Sequence, residues 1–157
     1  MALSRLRVAA RVLRDRRWGE IRDVARAQLA LVRAQLLVWT RPTGRLVDAS
    51  RRSALAPSFG AADAATGQRL SSALTRATRY GIFNPQCLVR AVALNRMLES
   101  SGVAGSTIRI GVRWVEGEFV AHAWVEHAGV ILGDTPANTA TFVPLTDVQL
   151  SAGRSER

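Results

Sequence analysis

The sequence predicts an α+β fold in which helices come first and an antiparallel sheet follows. Three observations carry this. Apolar residues recur at three- and four-residue steps through the first part of the chain, as on a helix face. A period of two takes over near Ile108 and runs to His127, as in strands. Between the two regimes lies 87-CLVRAVALNRMLESSG-102, an apolar helical run that opens on Cys87, the single cysteine of the 157 residues.

The elements follow in order. Residues 3–17 and 20–39 read as two helices separated near Trp18 and Gly19, the second marked by Ile21, Val24, Ala25, Leu29, Val32 and Leu36. Pro42, with Gly44 just beyond, ends it. Residues 53–62, rich in Ser, Ala, Pro and Gly, read as a loop, and 43–62 as a flexible connection. Residues 63–79 are helical again, with Leu70, Ala73, Leu74 and Ala77 on one side and Gly81 as a stop. For the cysteine helix, Asn84 is the expected N-cap, Pro85 suits the first helical position, and Gly102 lies just past the end. Cys87, Ala91, Leu94 and Leu98 fall on one line of it.

In the strand region Ile108, Ile110, Val112 and Trp114 alternate with Arg109, Gly111 and Arg113. Glu116-Gly117 is a hairpin turn, and Phe119 to His127 forms the next strand, with His122 and Trp124 on the face opposite Ala121, Ala123 and Val125. Ala128-Gly129 turns into a third strand, Val130 to Gly133, which leads to Asp134. A meander of this kind, with the cysteine helix packed on it, is the expected architecture. The organisation expected is a basic helical arm over residues 1–52 and a catalytic domain over 53–157.

Bulk properties narrow the class. The length suits one domain with a real core, and one cysteine forbids an intrachain disulfide. Met1 to Trp18 is arginine-rich without a continuous apolar stretch, and the apolar run from Ala27 to Trp39 is broken by Gln28, Arg33 and Gln35. The expectation is a cytoplasmic protein. Residues 1–52 hold 13 Arg against 4 acids and 53–157 hold 9 Arg against 8, so the basic character (pI about 11.7) sits in the arm. Such an arm suits an acidic peptide or protein, a membrane surface or RNA, or is simply a solvated helix face. No glycine-rich phosphate loop, serine nucleophile elbow or zinc-ligand spacing is present, and no cofactor is expected.

Cysteine, histidine and aspartate in this order, on a helix start and two successive strands, suit thiol chemistry. A nucleophilic cysteine acts as thiolate, a free thiol ionises only at about pH 8.5, and the unpaired N–H groups of a first helical turn favour an anion. An imidazole pairs with the thiolate and later protonates the leaving amine. A carboxylate on the neighbouring strand fixes the imidazole's tautomer. The candidate catalytic residues are therefore Cys87, His122 and Asp134, with the N–H of Cys87 a donor to the oxyanion and Gln86 a weaker second. By residue type alone, a lone cysteine on an apolar helix face is more often buried core. His127 is the rival histidine, expected exposed at its strand end.

The run CLVRAVALNRMLESSGVAGSTIRIGVRWVEGEFVAHAWVEHAGVILGD carries the motifs CLxRAxAL, IGV, AHAWVE and a short strand ending in Asp. Over about residues 81–136 it resembles the lasso-peptide leader peptidases, the transglutaminase-like, microcin-J25-processing B-protein family. The resemblance implies a papain/transglutaminase-like core and a cysteine peptidase that removes the leader from a ribosomally made precursor. Cys87 matches the family nucleophile, His122 the histidine of AHAWVE, and Asp134 the terminal aspartate. It also implies a split form whose leader-recognition protein is a separate chain, and a separate ATP-using cyclase as a further partner. Arg11, Arg14, Arg16 and Arg17 are candidates for docking one of these. No nucleic-acid partner is expected. The competing reading is a non-catalytic adaptor that binds a peptide in the cleft or lies on a membrane through its basic helices. Acyl transfer to an amine would use the same three residues.

Overall fold

The chain runs α1 (Ala2–Thr40), α2 (Ala61–Tyr80), α3 (Cys87–Ser100), β1 (Ser106–Val115), β2 (Glu118–His127), β3 (Val130–Leu132), α4 (Pro136–Thr139) and β4 (Val143–Pro144) in a computed structural model that describes residues 2–42, 60–81 and 83–145. The strands form one antiparallel sheet in the order β3-β2-β1-β4. Helices followed by an antiparallel sheet make the fold α+β, as the pattern of the sequence predicts. Most of the expected connection over 43–62 lies outside the described residues.

Helix α1 corrects one expectation. It is continuous through Trp18 and Gly19. One glycine costs a helix interior only about 1 kcal/mol, and no proline lies nearby to break it. The conspicuous apolar stripe of Ile21, Leu29, Val32 and Leu36 faces solvent. The face that enters the core is Ala27, Leu31 and Ala34, and its two alanines allow close helix approach. The helix ends where Pro42 disfavours helical geometry at Arg41.

Helix α2 packs against α1 through specific polar contacts. Arg69 Nη1 meets the buried Asp23 carboxylate at 2.8 Å, and Arg76 meets Glu20 at 3.0 Å on the surface. Gln28 Nε2 donates to the Ala77 carbonyl at 2.5 Å. Gly81, where α2 stops, has ordinary φ; it is small because a Cβ would collide with the Gln28 amide and the Ala77 carbonyl oxygen.

Helix α3 is the centre of the core. From Ala91 to Leu98 every residue except Arg96 is buried, including the polar Asn95. A helix apolar almost all round must be enclosed, and α3 is: α1 and α2 cover one side, and Ile108, Ala123, Val125 and Leu132 of the sheet cover the other. Asn95 is satisfied by Ser106 Oγ at 3.0 Å and Glu99 at 2.9 Å. The C-terminus closes as a Schellman motif: Val103 N–H donates to Leu98 O, Gly102 N–H donates to Glu99 O, and Gly102 takes φ +82°.

Two-residue turns set the sheet register. Glu116 and Gly117 have φ of 51° and 89°, and Ala128 and Gly129 have 47° and 78°. Positive φ at both central positions gives type I′ geometry, which matches strand twist. The first turn fixes Gly111 opposite His122 and Ile110 opposite Ala123. The second places Val125 opposite Leu132, which brings the residues after β3 alongside the middle of β2.

If α3 is the hub, truncation inside it must cost more than disturbing its cap. Leu98→Ala, at a fully buried position, is expected to lower the unfolding free energy by about 3 kcal/mol. Gly102→Ala, which forces a side chain into positive φ, is expected to cost about 1 kcal/mol. Urea unfolding followed by circular dichroism measures both; a smaller loss for Leu98→Ala would contradict the hub role of α3.

Candidate active site

Cys87 is the first residue of α3, two positions later than the expected helix start. Asn84 does not cap, and Pro85 is buried in the lead-in instead of occupying the first turn. The flanking residue is Gln86, extended at φ −67° and ψ 162°, with no side-chain capping bond. The thiol is half-buried and packs against the edge of the core. It opens onto a small cavity shared with Arg90, Leu94, His122, Trp124 and Asp134.

His122 and Asp134 are joined directly. Nε2 of His122 is paired with Oδ2 of Asp134. The sequence places both on neighbouring strands; in the structure His122 lies on β2 and Asp134 lies two residues beyond β3. Thr135 N–H donates to Asp134 Oδ1 at 2.7 Å, and the Asn138 amide donates to the two carboxylate oxygens at 3.1 and 3.0 Å. Burial opposes ionisation of this carboxyl. The hydrogen bonds from His122, Thr135 and Asn138 and the charge on His122 outweigh it, and together hold the Asp134 pKa below its ordinary value. With Nε2 engaged, Nδ1 is the ring nitrogen left for another partner. Cys87 lines the same cavity, but no hydrogen bond joins its Sγ to the ring.

The imidazole is held in plane by aromatic rings. Phe142 stacks on it at 5.0 Å between centroids and 29°, and Trp124 at 6.1 Å and 23°. Trp124 is itself anchored: Nε1 donates to Glu126 Oε1 at 2.9 Å, and Glu126 Oε2 accepts from Arg109 Nε at 2.9 Å. Gly111 makes room for this stack. A Cβ there would stand 2.8 Å from Phe142 Cβ and 2.9 Å from the Trp124 ring.

The turn that carries Asp134 is pinned from two helices. Gly133 N–H donates to Ser71 Oγ of α2 at 2.9 Å, and its carbonyl accepts from Arg90 Nη2 of α3 at 3.4 Å. Gly133 has φ +79°, and a Cβ on it would press on Leu94 at 2.9 Å. Arg90 lies one turn along α3 from Cys87, and it ties the Cys87 helix to the turn that carries Asp134.

Several supporting residues were not read from the sequence. Asn138 and Phe142 stand on α4 and just after it, in segments too short to show periodicity. The available signal for Asn138 was its spacing, one helical turn beyond Asp134 behind Thr135-Pro136. His127, expected exposed, is buried: it shares the α3-facing side of β2 with Ala123 and Val125. Among the described residues no cluster of three His, Cys, Asp or Glu side chains is placed to hold a metal ion.

No curated protein and no solved structure matches the chain. The family model of the transglutaminase-like superfamily matches residues 28–147. That span begins within α1, at the part that enters the core, and takes in Cys87, His122 and Asp134. Most of the sequence is covered, with its order of cysteine-bearing helix and antiparallel strands, and the chain therefore belongs to the transglutaminase-like superfamily.

Proposed function

We propose that this protein is a cysteine peptidase that cleaves the leader from a ribosomally synthesised lasso-peptide precursor, with Cys87, His122 and Asp134 as its catalytic residues. The observation that carries this reading is the Asp134–His122 pair, made through Nε2, beside a cavity that His122, Asp134 and Cys87 all line. Membership of a superfamily that includes cysteine peptidases supports the reaction class. The motif resemblance over residues 81–136 supports the narrower substrate. A separate leader-recognition protein and a cyclase are the partners that go with it.

The reaction runs as two acyl transfers. Sγ of Cys87, deprotonated by His122, attacks the carbonyl carbon at the leader–core junction. The oxyanion accepts from the N–H groups that open α3, including that of Cys87. His122 returns its proton to the departing core amine as the C–N bond breaks, leaving a leader thioester. Water then gives a proton to His122 and attacks the thioester, and the leader leaves as its acid while the thiol regains its proton. Throughout, Asp134 remains ionised and holds the imidazolium. It orients the ring without taking its proton.

The first test is cleavage of a cognate precursor, read by mass spectrometry. Cys87→Ala is expected to lower the rate at least about a thousandfold and His122→Ala at least about a hundredfold, both with unchanged circular dichroism. Retained cleavage in Cys87→Ala sinks the assignment. An amide-linked product in place of the free leader acid would move the reaction to amine transfer. Iodoacetamide separates enzyme from adaptor: rapid alkylation of Cys87 that slows in His122→Ala fits the enzyme, and an inert thiol fits the adaptor.

The Asp134 pair also has a pH signature. Because its folded pKa lies below the ordinary 3.8, its contribution to stability is complete above that value and fades as the pH falls through the folded pKa. The stability difference between the wild type and Asp134→Asn should be full at about pH 4.5 and shrink as the pH falls below about 3.8. Urea midpoints between about pH 4.5 and 2.5 decide it, and a difference that widens over that acid range contradicts the pairing. Gly111→Ala is expected to tilt the stack over His122, at about 1–3 kcal/mol of stability and about tenfold in turnover. Unchanged turnover would show that the stack does not orient the ring.

A further inference from the structure

The outward stripe of α1 is apolar and exposed. Trp18, Ile21, Leu29, Val32, Leu36 and Trp39 share one side of the helix, diametrically opposite the core face of Ala27, Leu31 and Ala34. All six are exposed, from 36% at Val32 to 74% at Trp39. They form a continuous apolar line about 32 Å long. A line of that length ending in tryptophans marks an interaction surface, not scattered surface apolarity.

Its flank is cationic. Arg22, Arg26 and Arg33 are exposed along one edge and form no ion pair among the described residues. The acids of this stretch, Glu20 and Asp23, turn the other way and are paired with Arg76 and Arg69 of α2. Beyond the arginine edge lies a groove of about 650 Å³ between α1 and α3, with Leu37 and Met97 in its lining and Arg96 on its far wall. The groove's own acid, Glu99, accepts from Asn95.

We infer that this surface docks an amphipathic helix of a partner protein whose apolar face covers the stripe and whose acidic flank meets Arg22, Arg26, Arg33 and Arg96. Charge complementarity selects this occupant. A second copy would bring a like-charged surface from a chain of net charge +10. A lipid surface would leave the groove unfilled, and the other edge of the stripe carries Gln28 and Gln35 where an interfacial helix would carry cations. The docking surface does not depend on the thiol chemistry: Cys87 opens at the other end of α3 from Met97, Glu99 and Ser100 of the groove.

The test uses the full chain and two labelled synthetic helices of about 22 residues. Both carry leucine at the first and fourth heptad positions; one has glutamate at the flanks, the other lysine. Fluorescence anisotropy should show the glutamate helix binding at least about tenfold more tightly, weakening with salt. Replacing Leu36 and Trp39 by Ser should cost at least about tenfold in that affinity. The triple variant Arg22→Glu, Arg26→Glu, Arg33→Glu should reverse the preference to the lysine helix. Unchanged circular dichroism and Cys87 alkylation in these surface variants show that the fold is intact. Equal binding of the two helices, or none of either, overturns the inference. So does co-sedimentation with phosphatidylglycerol vesicles that the glutamate helix does not compete away, or a dimer in sedimentation equilibrium that the Leu36 and Trp39 substitutions abolish.

Discussion

The enclosure of α3 is the constraint on which the rest depends. A helix buried on nearly every side has no freedom to slide or rotate, because any shift would drive Val92, Leu94 or Leu98 into neighbours that already fill the space. Its first residue therefore has a fixed address. Burial of Leu94 and Leu98 thus acts on function through geometry: it sets where the thiol stands relative to the sheet. The enclosing partners come from both halves of the chain, so the C-terminal half of α1 belongs to the same core as the strands.

The polar side of the site is assembled differently. His122 gets its position from sheet register, and the type I′ turns fix that register without help from the side chains of the site. Asp134 lies two residues beyond β3, where hydrogen bonding along the sheet no longer holds the chain. Other contacts take over: Ser71 and Arg90 grip Gly133, and Thr135 and Asn138 grip the carboxylate. The bonds from Thr135 and Asn138, with that of His122, also lower the Asp134 pKa against the effect of its burial. For these residues, holding the aspartate in place and favouring its charge are the same interactions.

Much of this was legible. The helix of Cys87, the two long strands and both turns announce themselves through periodicity and through Glu-Gly and Ala-Gly pairs, since each is long enough or sharp enough to leave a pattern. The pairing of His122 with Asp134 follows from a spacing of 12 residues across one turn. What escaped did so for physical reasons. Asn138 sits on a single helical turn, and Phe142 stands beside a two-residue strand, where no repeat can build up. Asn84 and Pro85 looked like a helix start, yet tertiary packing buries Pro85 ahead of the helix. His127 was misjudged because an end-of-strand position says nothing about which helix lies over it.

Helix α1 shows why periodicity alone could mislead. It carries two apolar faces, and the one with the larger side chains is the exposed one. Sequence methods weight size, so Ile21, Leu29 and Leu36 stand out, while Ala27 and Ala34, which permit close approach to α3, do not. Packing rewards fit against a neighbour more than bulk. A bare stripe with two tryptophans would ordinarily invite self-association. The arginines beside it oppose that, because two copies brought together along this edge would crowd like charges with no acids between them. On the docking surface we infer, the arginines along α1 would disfavour a second copy and favour an oppositely charged partner.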